Sequence, residues 1–254
     1  MIKNMQPFLS VVIPSYNEEQ NITSGVLSSI VAYLKQQSYT WEVILSDDGS
    51  TDGTIPKLRE FAEEHPGVRV LTNKHAGKAS NVTAGMLAAN GTWRLFTDFD
   101  QSTPLSEVEK LLAIAESGFS VVIGSREITG AKRDDEPFYR HIMGRIFNFV
   151  VQTLAVPGIF DTQCGFKLFS EQATDDLFSR LSVYGNLAER QDAYTGAFDV
   201  ELLYIARKFG YKIAEIPIHW EHRETDRVNP IKDSIRMFID ILRIRLAAAR
   251  GRYA

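Results

Sequence analysis

Leu9-Ser10-Val11-Val12-Ile13-Pro14 is an apolar run that predicts a buried strand, and the amphipathic spacing from about Gln20 to Gln37 predicts a helix behind it. Trp41 to Leu45 repeats the strand pattern and is closed by Ser46 to Thr54, a loop by composition. A helix to about His65, a strand at Val68 to Leu71, a helix from Lys78 to Ala89 and a strand at Trp93 to Thr97 continue the alternation. A helix from about Ser106 to Ser117 and a strand from Ser120 to Ile123 follow. Strands alternating with helices predict an α/β fold with a mainly parallel central sheet flanked by helices on both faces.

After Gly124-Ser125-Arg126 this rhythm breaks. Residues 127–136 read as a charged loop, and Pro137 to Val156 as one long helical segment with a narrow polar stripe of His141, Arg145, Asn148 and Gln152. A short strand at Gly165 to Phe169, a helix at Asp199 to Phe209 and a strand at Lys212 to His219 come next. In the last helix Ile231, Ile235, Phe238, Leu242 and Leu246 form an apolar stripe flanked by Arg236, Arg243 and Arg245. Apolar faces rimmed by arginine suit a helix lying in a membrane interface, while packing on the sheet or against a second copy is the other reading. For the 137–156 helix both readings stand; for the last helix the arginines favour the membrane. The expected organisation is one catalytic domain over 1–222, with 137–156 inserted, and a basic amphipathic helix over 223–254. Residues 180–197 are long and polar for a connection, and read as a lid or a partner contact.

Composition narrows this further. At 254 residues and 44% apolar content the chain can bury one large core. The net charge is −4, yet residues 223–254 hold eight Arg or Lys against four Asp or Glu, a segregation that suits nucleic acid, anionic lipid or a phosphate substrate. Cys164 is the single cysteine, so no internal disulfide forms. No apolar run is long enough to predict a transmembrane helix, and Met1 to Phe8 does not read as a secretory signal.

The candidate chemistry gathers where predicted strands end. Leu95-Phe96-Thr97 runs into Asp98-Phe99-Asp100-Gln101-Ser102 before Pro104 turns the chain away. Ligands of a parallel α/β sheet bind at the carboxyl ends of its strands, and two carboxylates there suit a hard cation such as Mg²⁺ or Mn²⁺; capping of the following helix is the plainer alternative. The first strand ends in Pro14-Ser15-Tyr16-Asn17-Glu18-Glu19 and lacks the Gly-x-Gly-x-x-Gly of a dinucleotide site, which argues against a nicotinamide or flavin dehydrogenase. The second ends in Asp47-Asp48-Gly49, where an acid can accept from a base NH or a ribose hydroxyl.

Pro14-Ser15-Tyr16-Asn17-Glu18, Asp47 to Thr54 and Asp98-Phe99-Asp100, in this order, resemble the nucleotide-sugar site of inverting family 2 glycosyltransferases of the GT-A fold. Gly124-Ser125-Arg126, Asp161 to Lys167 and Phe198 to Leu202 resemble the polyprenyl-phosphate hexose synthase branch, which includes the dolichyl-phosphate glucose and mannose synthases. The resemblance spans about Leu9 to Leu246. It implies that Pro14, Tyr16, Glu18, Asp48 and Lys78 line the nucleotide-sugar pocket, with Asp48 addressing the base. It places Asp98 and Asp100 at the diphosphate and metal, with Gln101 a further candidate ligand. Arg126, Arg140, Arg223, Arg227 and Lys232 are the candidates for the acceptor phosphate; Asp161, Gln163, Asp199 and Glu201 are those for orienting the sugar.

The implied reaction is inverting transfer of a hexose from a nucleotide sugar to a polyprenyl phosphate, with UDP-glucose the preferred donor and GDP-mannose the alternative. A lipid monophosphate is anionic at neutral pH, so no general base is required, and His65, His75, His141, His219 and His222 all read as surface or structural. Peripheral attachment to the cytoplasmic face of a membrane, without nucleic acid, is expected, with a homo-oligomer or a membrane-protein anchor left open.

Overall fold

The computed structural model describes residues 6–134, 148–185, 196–222 and 230–253, apart from the side chains of 230–232. The N-terminal half alternates as expected: β1 (Leu9–Ser15), α1 (Glu19–Thr23), α2 (Val26–Leu34), β2 (Trp41–Asp47), α3 (Thr54–Glu64), β3 (Val68–Thr72), α4 (Lys78–Ala88), β4 (Trp93–Thr97), α5 (Val108–Glu116) and β5 (Val121–Ser125). The single helix expected over 20–37 is two, because Gly25 adopts φ +85°, a left-handed conformation that glycine takes without steric cost.

The second half departs more. A three-residue strand β6 (Lys132–Asp134) emerges from the expected charged loop. Residues 148–154 are helical (α6), and β7 (Phe166–Ser170) runs into α7 (Glu171–Ser179), a helix the apolar pattern did not announce. Its start is marked by Ser170, whose hydroxyl accepts from the Ala173 N–H as an N-cap. Then come α8 (Phe198–Lys208), β8 (Ile213–Pro217), β9 (His219–Glu221) and α9 (Pro230–Ala249).

Seven strands form one sheet in the order β3-β2-β1-β4-β7-β5-β8. All neighbours are parallel except β7, which runs antiparallel to both β4 and β5. Helices cover both faces: Leu27, Ile30, Leu34, Leu58, Leu111 and Leu112 pack under one, and Val82, Met86, Leu177, Leu202, Ile205 and Ile244 under the other. β6 and β9 pair in a separate two-stranded ribbon.

The last helix is built differently from the expected interfacial helix. Ile241, Ile244 and Ala247 are buried in the core shared with α8, so α9 is part of the folded body. The stripe read from the sequence is the opposite face: Ile235, Phe238, Leu242 and Leu246 are 58%, 42%, 46% and 49% exposed. None of the described helices is long and apolar enough to cross a membrane.

Candidate active site

The loops after β1 and β2 are bound to each other before any ligand is considered. Asp47, fully buried, accepts from the hydroxyls of Ser15 and Ser50 at 3.0 and 2.6 Å and from the Ser50 N–H at 2.8 Å. Asn17, at φ 54°, donates its N–H to the Ser50 hydroxyl at 2.9 Å, and its side-chain oxygen accepts from Thr51 N–H at 2.9 Å. The Glu18 N–H donates to Thr54 at 2.8 Å, and the Glu18 carboxylate accepts from Asn21 at 2.5 Å. The mutual hydrogen bonding holds Pro14, Tyr16 and Glu18 in a fixed wall at the carboxyl end of the sheet.

Asp48 stands in the same wall in an unexpected way. Its carboxylate is 3% exposed and accepts from Ala76 N–H at 2.9 Å, Gly77 N–H at 3.0 Å and the His75 Nδ1 at 2.8 Å. It therefore shapes the turn that leads into α4. His75 in turn stacks on Tyr16, ring centroids 4.3 Å apart and planes 9° off parallel. This histidine, read from the sequence as surface or structural, links Asp48 to Tyr16; only the three-dimensional contact reveals it.

Asp98 and Asp100 follow the end of β4 at Thr97, at the carboxyl end of the sheet. Lys78, the first residue of α4, places its Nζ 2.5 Å from Asp98 Oδ1. Asp100 accepts from Ser102 N–H at 2.9 Å, and burial together with the neighbouring Asp98 charge raises its carboxyl above the ordinary range. Such a site gains from a cation. Gln101, at φ 52°, donates from its amide nitrogen to Asp98 O at 2.8 Å, while its Oε1 is buried with no partner. Among the described residues no group of three His, Cys, Asp or Glu is placed to hold a metal. Two carboxylates and an orphaned amide oxygen nevertheless fit a divalent cation that also takes phosphate ligands from a donor.

The other half of the site comes from the reversed strand. The register pairs Thr97 with Phe166, so the residue before β7, Gly165, abuts Asp98: a Cβ there would lie 2.0 Å from Asp98 Oδ2. Lys167 is fully buried, its Nζ 2.6 Å from Asp199 Oδ1 and also bonded to Cys164 O. Burial works against the charged form of Asp199, and the Lys167 ammonium works for it. Cys164 is inert, since burial pushes its thiol up to about 12.

Arg126, just past β5, is gripped by Asp161 through N–H, Nε and Nη2 at 2.9, 2.7 and 2.9 Å, and its guanidinium lies 5.3 Å from the Trp220 ring centroid. Glu215 holds the backbone beneath Asp161, accepting from Phe160 N–H and Asp161 N–H at 2.9 and 2.7 Å. Asp161 thus orients an arginine. Gln163 keeps a buried Nε2 without a partner.

Glu201 is a correction. It is fully buried, and its oxygens accept from the N–H groups of Ser182, Val183 and Tyr184 and from the Tyr253 hydroxyl at 2.6 to 3.0 Å. Two residues past Asp199 on α8, it faces the helix packing, and the bonds it makes are to the 182–184 backbone and Tyr253. Arg140, Arg223 and Arg227, the Lys232 side chain and most of the expected lid lie outside the described residues.

Comparison with known proteins finds similar sequences and similar folds. The chain is 34% identical to dolichyl-phosphate beta-glucosyltransferase of Dictyostelium discoideum, over 99% of this chain and 79% of that protein. It is 36% identical to the human protein of the same name, over 96% and 76%. A Pyrobaculum calidifontis mannosyltransferase solved with GDP-Man and Mn²⁺ shares the fold at TM-score 0.59 and 20% identity, covering 94% of this chain and 65% of that one. So does a Mycobacterium tuberculosis glucosyl-3-phosphoglycerate synthase in complex with Mn²⁺ and UDP, at 0.60 and 20%, covering 95% and 79%. The fold is GT-A, residues 10–178 match the model for glycosyl transferase family 2, and the chain belongs to that family.

Proposed function

We propose that the protein transfers glucose from UDP-glucose to a polyprenyl phosphate, with inversion, at a membrane surface. The observation that carries this reading is identity of 34–36% to dolichyl-phosphate beta-glucosyltransferases along nearly the whole chain. The match covers 99% and 96% of this chain, well beyond a nucleotide motif.

In this reading the base and ribose lie against the wall of Pro14, Tyr16 and His75, which Asp48 and Asp47 hold from behind. The diphosphate reaches Asp98, Asp100 and Lys78. Asp98 and Asp100, with Gln101 beside them, would hold a divalent cation, Mg²⁺ or Mn²⁺, which would supply charge neutralisation for the leaving nucleoside diphosphate. Arg126, aimed by Asp161 and backed by Trp220, receives the acceptor phosphate. One phosphate oxygen of the lipid forms the bond to the anomeric carbon, and the bond from that carbon to UDP breaks with its electron pair leaving on the diphosphate. No proton moves, which agrees with a site without a histidine base. The exposed apolar stripe of α9 and Phe149, 72% exposed on α6, supports peripheral contact with the lipid phase, on the cytoplasmic face where nucleotide sugars are supplied.

The test is transfer of labelled glucose from UDP-glucose to a polyprenyl phosphate with Mg²⁺ or Mn²⁺, read as organic-phase product, with GDP-mannose in parallel. Glucosyl lipid from UDP-glucose alone is the expected result. Product from GDP-mannose alone overturns the donor, and nucleotide-sugar binding without product from either overturns the acceptor. Asp100→Ala is expected to lose transfer with the fold intact; retained activity removes the cation from this pair.

A further inference from the structure

Asp98 already has a cation of its own. Lys78 and Asp98 are 28% and 37% exposed at their side chains, so their 2.5 Å contact lies at the wall of the cleft and not in the sealed interior. The turn that delivers Lys78 is rigid, since Asp48 holds the N–H groups of Ala76 and Gly77 immediately before it. The other Asp98 oxygen is pressed against Gly165, which restricts how far the carboxylate can turn. The second ammonium nearby, on Lys167, is fully buried and held by Asp199, so it is not available for exchange.

A divalent cation and an ammonium on one carboxylate oxygen repel strongly at contact distance, and with Asp98 Oδ2 set against Gly165 the two compete for Oδ1. We propose that Lys78 is the resident counter-cation of Asp98 and an exchange group: it yields Asp98 to the cation that arrives with the nucleoside diphosphate, and turns its ammonium onto the diphosphate oxygens. This inference rests on the reading of Asp98 and Asp100 as the donor's cation site. It explains why the described residues offer two carboxylates and not a complete ligand set: the phosphates bring the remaining oxygens, and Lys78 keeps the site from being filled without them.

The test measures Mn²⁺ binding to the full chain, without donor, from the spin-resonance signal of free Mn²⁺, and repeats it with UDP. Wild type is expected to bind Mn²⁺ weakly alone and tightly with UDP. Lys78→Met is expected to bind Mn²⁺ alone on the order of tenfold more tightly, and to gain less from UDP. Lys78→Arg, which keeps the charge and checks that the α4 start tolerates substitution, is expected to stay weak without UDP. Lys78→Met binding Mn²⁺ no more tightly than wild type, while wild type still forms the Mn²⁺–UDP complex, overturns the exchange and leaves the function standing. Failure of wild type to bind UDP with or without Mn²⁺ overturns both.

Discussion

Asp161 grips Arg126 at three points, backbone N–H, Nε and Nη2, all between 2.7 and 2.9 Å. The guanidinium therefore reaches the cleft already oriented, with the Trp220 ring behind it. Asp161→Asn keeps the shape but removes the charge that fixes the fork. The expected result is a rise of roughly 10- to 100-fold in KM for polyprenyl phosphate with KM for UDP-glucose unchanged, the scale of one charge-assisted hydrogen bond. Steady-state kinetics with each substrate varied in turn measures this split, and equal changes in both would assign Asp161 to general stability instead.

The same pair makes stability pH-dependent. Burial alone would raise the Asp161 carboxyl, but the Arg126 charge and hydrogen bonds outweigh it and hold the group below the ordinary carboxylate range. A group depressed in the folded state stabilises at pH above its unfolded value, and that contribution is lost as pH falls through the folded value. Urea unfolding across the acid range is expected to show a loss of stability that Asp161→Asn flattens.

Gly165 is expected to be intolerant of a single methyl group. A Cβ 2.0 Å from Asp98 Oδ2 forces the carboxylate or the start of β7 to move. Gly165→Ala is expected to lower kcat by about a hundredfold, the cost of misplacing a positioned group by an ångström, with a circular dichroism spectrum like wild type.

Glu201→Gln is expected to destabilise the fold by about 3 kcal/mol, because a buried carboxylate that accepts four hydrogen bonds is replaced by a group that must turn a donor toward one of them. Activity per folded molecule is expected to survive. Denaturant titration and kinetics on the same sample separate the two effects.

Phe238→Glu with Leu242→Glu places charge on the exposed stripe of α9 while leaving Ile241 and Ile244 in the core. Flotation with anionic vesicles is expected to fall severalfold, and unfolding free energy to change by no more than about 0.5 kcal/mol per site. Unchanged flotation would move the membrane contact to another face.

Much of this site was legible in the chain because strand-end chemistry is local. Asp98 and Asp100 follow an apolar run directly, and the Pro14 to Glu18 and Asp47 to Thr54 loops carry their polar groups in sequence. What could not be read was contact between distant segments. His75 faces Tyr16 only because Asp48 folds the 75–77 turn toward β1, and Glu201 and Asp199 differ in role because two residues along a helix point to different sides. α9 was half read: its exposed stripe stood out, whereas the inward stripe of Ile241, Ile244 and Ala247 needed α8 opposite it to be recognised. α7 was missed because Glu171 to Ser179 has few large apolar residues, and its N-cap at Ser170 is a single hydroxyl.

The reversed direction of β7 has an effect on how the two sides of the cleft can change over time. Loops that follow the parallel strands, such as that after β4, leave the sheet at one end only and can lengthen outward without disturbing what precedes them. The segment before β7 is pinned at both ends, by α6 on one side and by registers with β4 and β5 on the other. One inserted or deleted residue next to Phe166 would slide β7 and swap its faces, exchanging Phe166 and Leu168, packed in one core, with Lys167 and Phe169 on the other side. Diversification of this half of the cleft is thereby confined to substitution at constant length.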